Sequence, residues 1–134
     1  MELKITFGGN KRVDAQVGTF QVRTDQSREA GGDGSAPEPF TLFLASIGAC
    51  AGIYVVFFCE ARKIPTDGIE LVQRVDFDPS PPHRLRRVGL EIHVPPGFPE
   101  KYLEPLARAA SSCAVKKAIL DPPEFDVRTV MDAR

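Results

Sequence analysis

From Phe40 to Cys59 the chain reads FTLFLASIGACAGIYVVFFC, 20 residues without a charge. No other feature limits the fold as strongly. The run is too long for a strand, and about 20 apolar residues are what a helix needs to span a bilayer. Composition tells against a span: Thr41, Ser46, Gly48, Gly52 and Tyr54, with three alanines, dilute the run. The segments on either side read as parts of one sheet, which would have to pair across the bilayer. A helix apolar on all sides is equally at home in a protein interior, although a small domain rarely surrounds one completely. The expectation is therefore a core helix whose burial two protomers share. Ala45, Gly48, Ala49 and Gly52 would let the backbones approach closely. Arg62 and Lys63 suit the helix C-terminus, and Pro65 followed by Asp67-Gly68 closes it.

On the N-terminal side, Leu3, Ile5 and Phe7 alternate with polar residues, and Gly8-Gly9-Asn10 supplies turn chemistry. Val13, Ala15 and Val17 keep the period of two, and Gly18 interrupts it before Phe20, Val22 and Thr24. This predicts a hairpin or meander with a long or bulged second arm. Residues 25–37, DQSREAGGDGSAP, read as a polar, exposed or mobile connection. On the C-terminal side, Ile69–Phe77 and the alternating Val88, Leu90, Ile92 and Val94 predict a hairpin around the turn PSPPH. Tyr102, Leu103, Leu106 and Ala109 or Ala110 fall at helical spacing, with Pro105 tolerable only in a first turn. Ser111 and Ser112 are the expected caps of a helix opening at Cys113, and Phe125, Val127 and Thr129 suggest a closing strand. The expected order is β-β-(β)-α-β-β-α-β, an α+β class, as one domain over residues 1–134.

A length of 134 residues suffices for a real core. The formal net charge is −1, from 17 basic and 18 acidic residues, and Trp is absent. A nucleic-acid partner would call for a basic face, so none is expected. No metal is expected either, because no His, Cys and carboxylate set has ligand spacing; nor is a cofactor. His83 and His93 read as surface histidines. MELKITFGG has no apolar h-region and no small-residue cleavage site, so it is not expected to act as a signal peptide, and three cysteines are an odd, low count for a secreted framework. Reduced thiols in the cytoplasm are the better reading.

On a helix turning about 100° per residue, Cys50 and Cys59 point to opposite sides. Cys59 reads as a buried small hydrophobe. Cys50 lies between Gly48 and Gly52, which would leave its sulfur accessible. Cys113, in a first helical turn, would have backbone N–H groups to stabilise a thiolate, with Lys116 and Lys117 one turn on. Spacing alone leaves open whether Cys50 and Cys113 are reactive or merely packed.

The pattern P-x-x-L-x-L-A-x-x-G-x-C at Pro39–Cys50, followed by C-A-V-K-K-A-I-L at Cys113–Leu120, resembles the OsmC/Ohr family. Members typically carry P-x-E-L-L-L-A-A-L-G-G-C and C-P-V-S-K-A-L. The order of turn, Gly-rich loop, central helix, hairpin and final helix is similar over most of the chain. The resemblance implies an OsmC-like α+β fold of antiparallel sheets, a long buried central helix and an intertwined homodimer. It also implies a thiol peroxidase acting on organic hydroperoxides. Cys50 would be the peroxidatic cysteine and Cys113 the resolving one, with an external dithiol as reductant. Leu42, Phe43, Ile53, Tyr54 and Phe57 would supply apolar walls suited to an organic peroxide.

Peroxidase members are similar in using an Arg held by a Glu. Arg12 falls in the matching turn region. The Glu position is occupied by Phe40 or Thr41, and Glu38 is the nearest acid. This departure keeps a second reading in view, a non-catalytic OsmC-like dimer that binds a small apolar ligand.

Overall fold

A computed structural model describes residues 1–133. The chain divides into two compact units, residues 1–46 and the remainder from Ile47 on.

In the N-terminal unit Gly18, at φ 58°, splits the expected second arm in two. The result is a three-stranded antiparallel meander of Lys4–Gly9 (β1), Arg12–Val17 (β2) and Phe20–Thr24 (β3). Ile5 sits opposite Ala15, and Ala15 opposite Val22. A bulge between Phe7 and Gly9 carries the chain into a tight turn at Asn10, φ 48°. Ile5, Phe7, Phe20 and Val22 remain exposed, so this unit leaves apolar sheet surface uncovered.

Residues 25–37 depart from the exposed or mobile connection expected from their composition. Asp25 is fully buried, and the loop is tied around its carboxylate. The backbone N–H of Gln26 donates to Oδ1 at 2.7 Å, and the N–H and hydroxyl of Ser35 donate to Oδ2 at 3.0 and 2.5 Å. The Asp25 N–H donates to the Pro37 carbonyl at 3.2 Å, and those of Gly32 and Gly34 donate to Ser27 and Gln26. Gly32 is required by close approach: a Cβ there would lie 2.1 Å from the Gln26 carbonyl oxygen. Asp, Ser and Gly mark loops because they bond their own backbone readily. Here the same property fixes the loop.

The uncharged run forms α1, Pro39–Ala61, 23 residues long. Its buried residues, Ile47, Ala51, Val55, Phe58 and Cys59, make one stripe at spacings of three and four. The chain's own atoms bury 28% of its most apolar window, whose mean hydropathy is 2.3. Ile53 and Phe57 stay about half exposed. The long helix is present as expected, but one chain buries only one side of it.

In the C-terminal unit Glu70–Phe77 (β4) and Leu85–His93 (β5) pair antiparallel from Glu70↔His93 to Phe77↔Leu85. Their inward residues Leu71, Leu90 and Ile92 pack against a core of Ala51, Val55, Phe58, Cys59, Leu106, Ala110 and Cys113. A 3-10 turn at Glu100–Tyr102 leads into α2, Leu103–Ala110, with Pro105 in its first turn. There it displaces no intrahelical donor. Next comes α3, Ala114–Leu120, whose N-cap is Cys113. The serines expected as its caps therefore lie outside it; the Ser111 hydroxyl turns back to the Ala107 carbonyl at 3.0 Å.

The closing strand expected at Phe125–Thr129 does not form among the described residues. Phe125 is 86% and Val127 93% exposed. Alternation gives such a segment a sticky face, but a strand also needs an edge to share its backbone hydrogen bonds. Among the described residues no edge strand of either sheet pairs with it.

Candidate active site

The site is built from α1 and the start of α3. Ile47 and Cys50 lie one turn apart on α1, and Cys113 comes up beside both. Its thiol donates to the Ile47 carbonyl at 3.7 Å. It is also within hydrogen-bonding reach of the Cys50 sulfur. A thiol carries one proton, so Cys113 directs it either to the carbonyl or to Cys50. When Cys50 ionises, the second choice becomes a charge-assisted bond.

Cys50 is half-buried and Cys113 almost fully buried, and all three cysteines are free thiols. The Cys50 pKa is lowered from its ordinary value. The largest cause is the backbone N–H of Val115, followed by the Cys113 thiol and, after an opposing effect of burial, the N–H of Ala114. These two amides belong to the first turn of α3, whose N–H groups have no intrahelical acceptor. Sequence reasoning sought the positive influence near Cys113; the structure directs it at Cys50.

The glycines flanking Cys50 play unequal parts. A Cβ on Gly48 would lie 2.6 Å from Oε1 of Gln73 on β4, so Gly48 permits close packing of helix on hairpin. A Cβ on Gly52 would meet nothing within 4 Å, leaving that side of α1 open. Cys59 is the opposite case. It is fully buried, and burial pushes its thiol pKa up, with the Arg62 charge only partly offsetting this. Arg62 itself is held by stacking over the Phe58 ring at 3.6 Å and by donating to the Phe58 carbonyl.

Arg12 and Glu38 belong to the N-terminal unit and are not paired with each other there. The Arg12 guanidinium meets Asp33 at 3.5 Å and donates through Nε to the Gly8 carbonyl at 3.3 Å. Asn10 steadies Asp33 by donating to its Oδ1 at 3.1 Å. The Glu38 carboxylate accepts from the Ser27 N–H at 3.1 Å. Asp33 as the partner of Arg12 was missed by sequence reasoning, which read Gly31-Gly32-Asp33-Gly34 only as a flexible loop. Thr41 lies in the first turn of α1. Of the expected apolar walls, Phe43, Ile53 and Phe57 are partly exposed, and the Phe57 ring meets Tyr54 edge-on with centroids 6.0 Å apart.

Two thiols thus meet between a long apolar helix and a short one in an α+β chain of small antiparallel sheets. The family described as OsmC-like protein matches residues 32–128, and the chain belongs to it. Solved structures agree on the fold. One is a protein from Psychrobacter arcticus 273-4, named for osmotic stress and a detoxification response. It is 21% identical at a TM-score of 0.74, covering 87% of this chain and 85% of that one. An organic hydroperoxide resistance protein OsmC from Legionella pneumophila is 26% identical at a TM-score of 0.62, covering 88% and 87%. An organic hydroperoxide resistance protein from Elizabethkingia anophelis is 21% identical at a TM-score of 0.59, covering 87% and 84%. No curated protein sequence matches the chain. The fold accounts for the apolar run as the long helix of an OsmC-like architecture.

Proposed function

We propose that the chain is a thiol-dependent peroxidase that reduces organic hydroperoxides in oxidative-stress defence. One observation carries the proposal: Cys50 is more acidic than an ordinary thiol and lies beside a second cysteine on another element. The names of the Legionella and Elizabethkingia relatives point to the same chemistry at family level.

The Cys50 thiolate attacks one oxygen of the hydroperoxide. An S–O bond forms as the O–O bond breaks, and the departing alkoxide takes a proton to become an alcohol. Cys50 is now a sulfenic acid. The Cys113 sulfur attacks it, forming a disulfide and releasing water. An external dithiol restores both thiols by exchange through a mixed disulfide. Arg12 and Glu38 enter as supports of the thiolate on the resemblance alone. The exposed residues of α1, Ile53 and Phe57 among them, support a homodimer in which a second copy covers the helix. The match across residues 32–128 supports one OsmC-like domain over 1–134, and the reduced thiols support a cytoplasmic setting.

The test treats reduced protein with one equivalent of cumene hydroperoxide and maps disulfides by mass spectrometry. Rapid formation of a Cys50–Cys113 bond, absent in Cys50→Ser and Cys113→Ser, is the expected result. Oxidation no faster than that of a free thiol, with the fold intact, sinks the proposal. The specific support for the alternative, non-catalytic binding of a small apolar ligand, is Thr41 at the Glu position together with the engagement of Glu38 by Ser27.

A further inference from the structure

Two segments of the N-terminal unit close on each other around one carboxylate, that of Asp33. Asn10, in the turn between β1 and β2, donates through Nδ2 to Asp33 Oδ1 and to the Gly31 carbonyl, each at 3.1 Å. Arg12, two residues on, brings Nη1 to 3.5 Å from Oδ2. The Asp33 carbonyl accepts from Arg28 Nε at 3.4 Å. Two residues further along, Ser35 is tied by its N–H and its hydroxyl to the buried Asp25 carboxylate. Asp33 is thus fixed by main chain and side chain independently of Arg12.

A half-exposed ion pair contributes little by itself, because ordering two long side chains offsets the attraction. The Arg12 and Asp33 side chains are 45% and 50% exposed, so charge alone does not hold them together. What holds them is order established elsewhere. Asn10 places the carboxylate, and the Gly8 carbonyl accepts from Arg12 Nε at 3.3 Å, so each partner has already lost much of its freedom. Glu38 is engaged by the Ser27 N–H instead. We propose that Asp33, steadied by Asn10, is the positioning residue of Arg12: its carboxylate, rather than that of Glu38, sets the orientation of the guanidinium. One consequence rests on the peroxidase reading, that misplacing Arg12 slows the oxidation of Cys50. The sign of this effect separates position from charge. Asp33→Asn removes a negative charge, and less negative surroundings favour a thiolate. Charge alone therefore leaves Cys50 as reactive or more so; loss of position does the reverse.

Two measurements on the reduced full-length chain test this. Relaxation of the 15N-labelled Arg12 Nε–H reports the order of the guanidinium without reference to any reaction. The group should be ordered in the wild type and in Glu38→Gln, and mobile in Asp33→Asn. Asn10→Gly, which keeps the positive φ of 48° open to the backbone, should loosen it to a smaller extent. Stopped-flow oxidation by cumene hydroperoxide is the second measurement. Asp33→Asn should slow it about tenfold, and Asp33→Glu should recover part of the loss. In an Arg12→Ala background Asp33→Asn should alter the rate less than about twofold, as for a residue that acts through Arg12. Circular dichroism should show each variant folded. Arg12 still ordered in Asp33→Asn, or disordered by Glu38→Gln, overturns the proposal. So does an oxidation rate unchanged or raised by Asp33→Asn, or an equal loss when Arg12 is absent. A wild-type chain oxidised no faster than a free thiol overturns the peroxidase reading instead, and the relaxation measurement then decides the role of Asp33 alone.

Discussion

Cys50 and Cys59 sit on the same helix, nine residues apart, and their surroundings drive them in opposite directions. Cys50 faces backbone donors and a second thiol, which favour its anion. Cys59 is sealed among hydrocarbon, which favours its neutral form. Residue type and helix are shared, so the difference comes from what the opposing element presents: unsatisfied N–H groups in one case, packed side chains in the other. Reactive cysteines are made by their surroundings, and α1 carries one of each kind.

The sharpest way to break this comparison is substitution. Cys50→Ser should lower peroxide turnover at least about 1,000-fold. Cys59→Ser should leave turnover nearly unchanged and instead cost about 1–3 kcal/mol of stability, because it buries a hydroxyl in an apolar core. Coupled assays and urea denaturation of both variants check this. A loss of turnover in Cys59→Ser at full stability would mean that the two thiols have been wrongly distinguished.

Alkylation sharpens the same contrast. With iodoacetamide at pH 7.5, Cys50 should react at least about 100-fold faster than Cys59, since the thiolate is the nucleophile and Cys59 must await opening of the core. The pH dependence of stability follows with opposite signs. Cys50, depressed in the folded state, adds stability that is fully present above the unfolded thiol pKa near 9.0 and is lost as pH falls through the folded value. Cys59, raised in the folded state, adds stability that is present below pH 9.0 and lost as pH rises beyond it. Alkaline urea titrations of Cys50→Ser and Cys59→Ala should therefore diverge in opposite directions from the wild type.

Gly48→Ala tests whether the packing near Cys50 matters. Its new methyl must move the Gln73 side chain, a flexible group, so the expected cost is about 1–2 kcal/mol. Gly52→Ala, with open space, should be within about 0.5 kcal/mol of wild type or slightly stabilising through helix propensity. Thermal denaturation of the pair distinguishes the two glycines.

The last contrast concerns the other unit. The Ser35 hydroxyl and N–H, the largest causes, lower the Asp25 pKa from 3.8 to about 2. Its contribution is complete above about pH 4 and is lost as pH falls toward 2. Asp25→Asn should flatten the acid limb of the stability profile in that window, measured by circular dichroism.

The regular elements were legible because each rests on local periodicity: the alternation of β1 to β5, the apolar length of α1, and Pro105 confining α2 to begin near it. The cysteine pair became legible as a constellation only when the two motifs were taken together. What escaped was whatever depends on a backbone group meeting a distant side chain. Ser27, Ser35 and Gly32 look like flexible loop residues until Asp25 is buried among them. The acidifying donors of Cys50 are main-chain amides of Ala114 and Val115, and the sequence marks no residue for that role. Phe125, Val127 and Thr129 show the converse, a strand pattern that pairs with no edge strand among the described residues.

The single buried stripe on α1 has a practical consequence for how such a protein behaves on dilution. A helix about 34 Å long with Ile53 and Phe57 half exposed draws part of its stability from whatever covers its remaining faces. When that cover is a second copy, the unfolding midpoint becomes a function of protein concentration, rising with each tenfold increase. The stability of the thiol pair would then depend on how much of the protein is present.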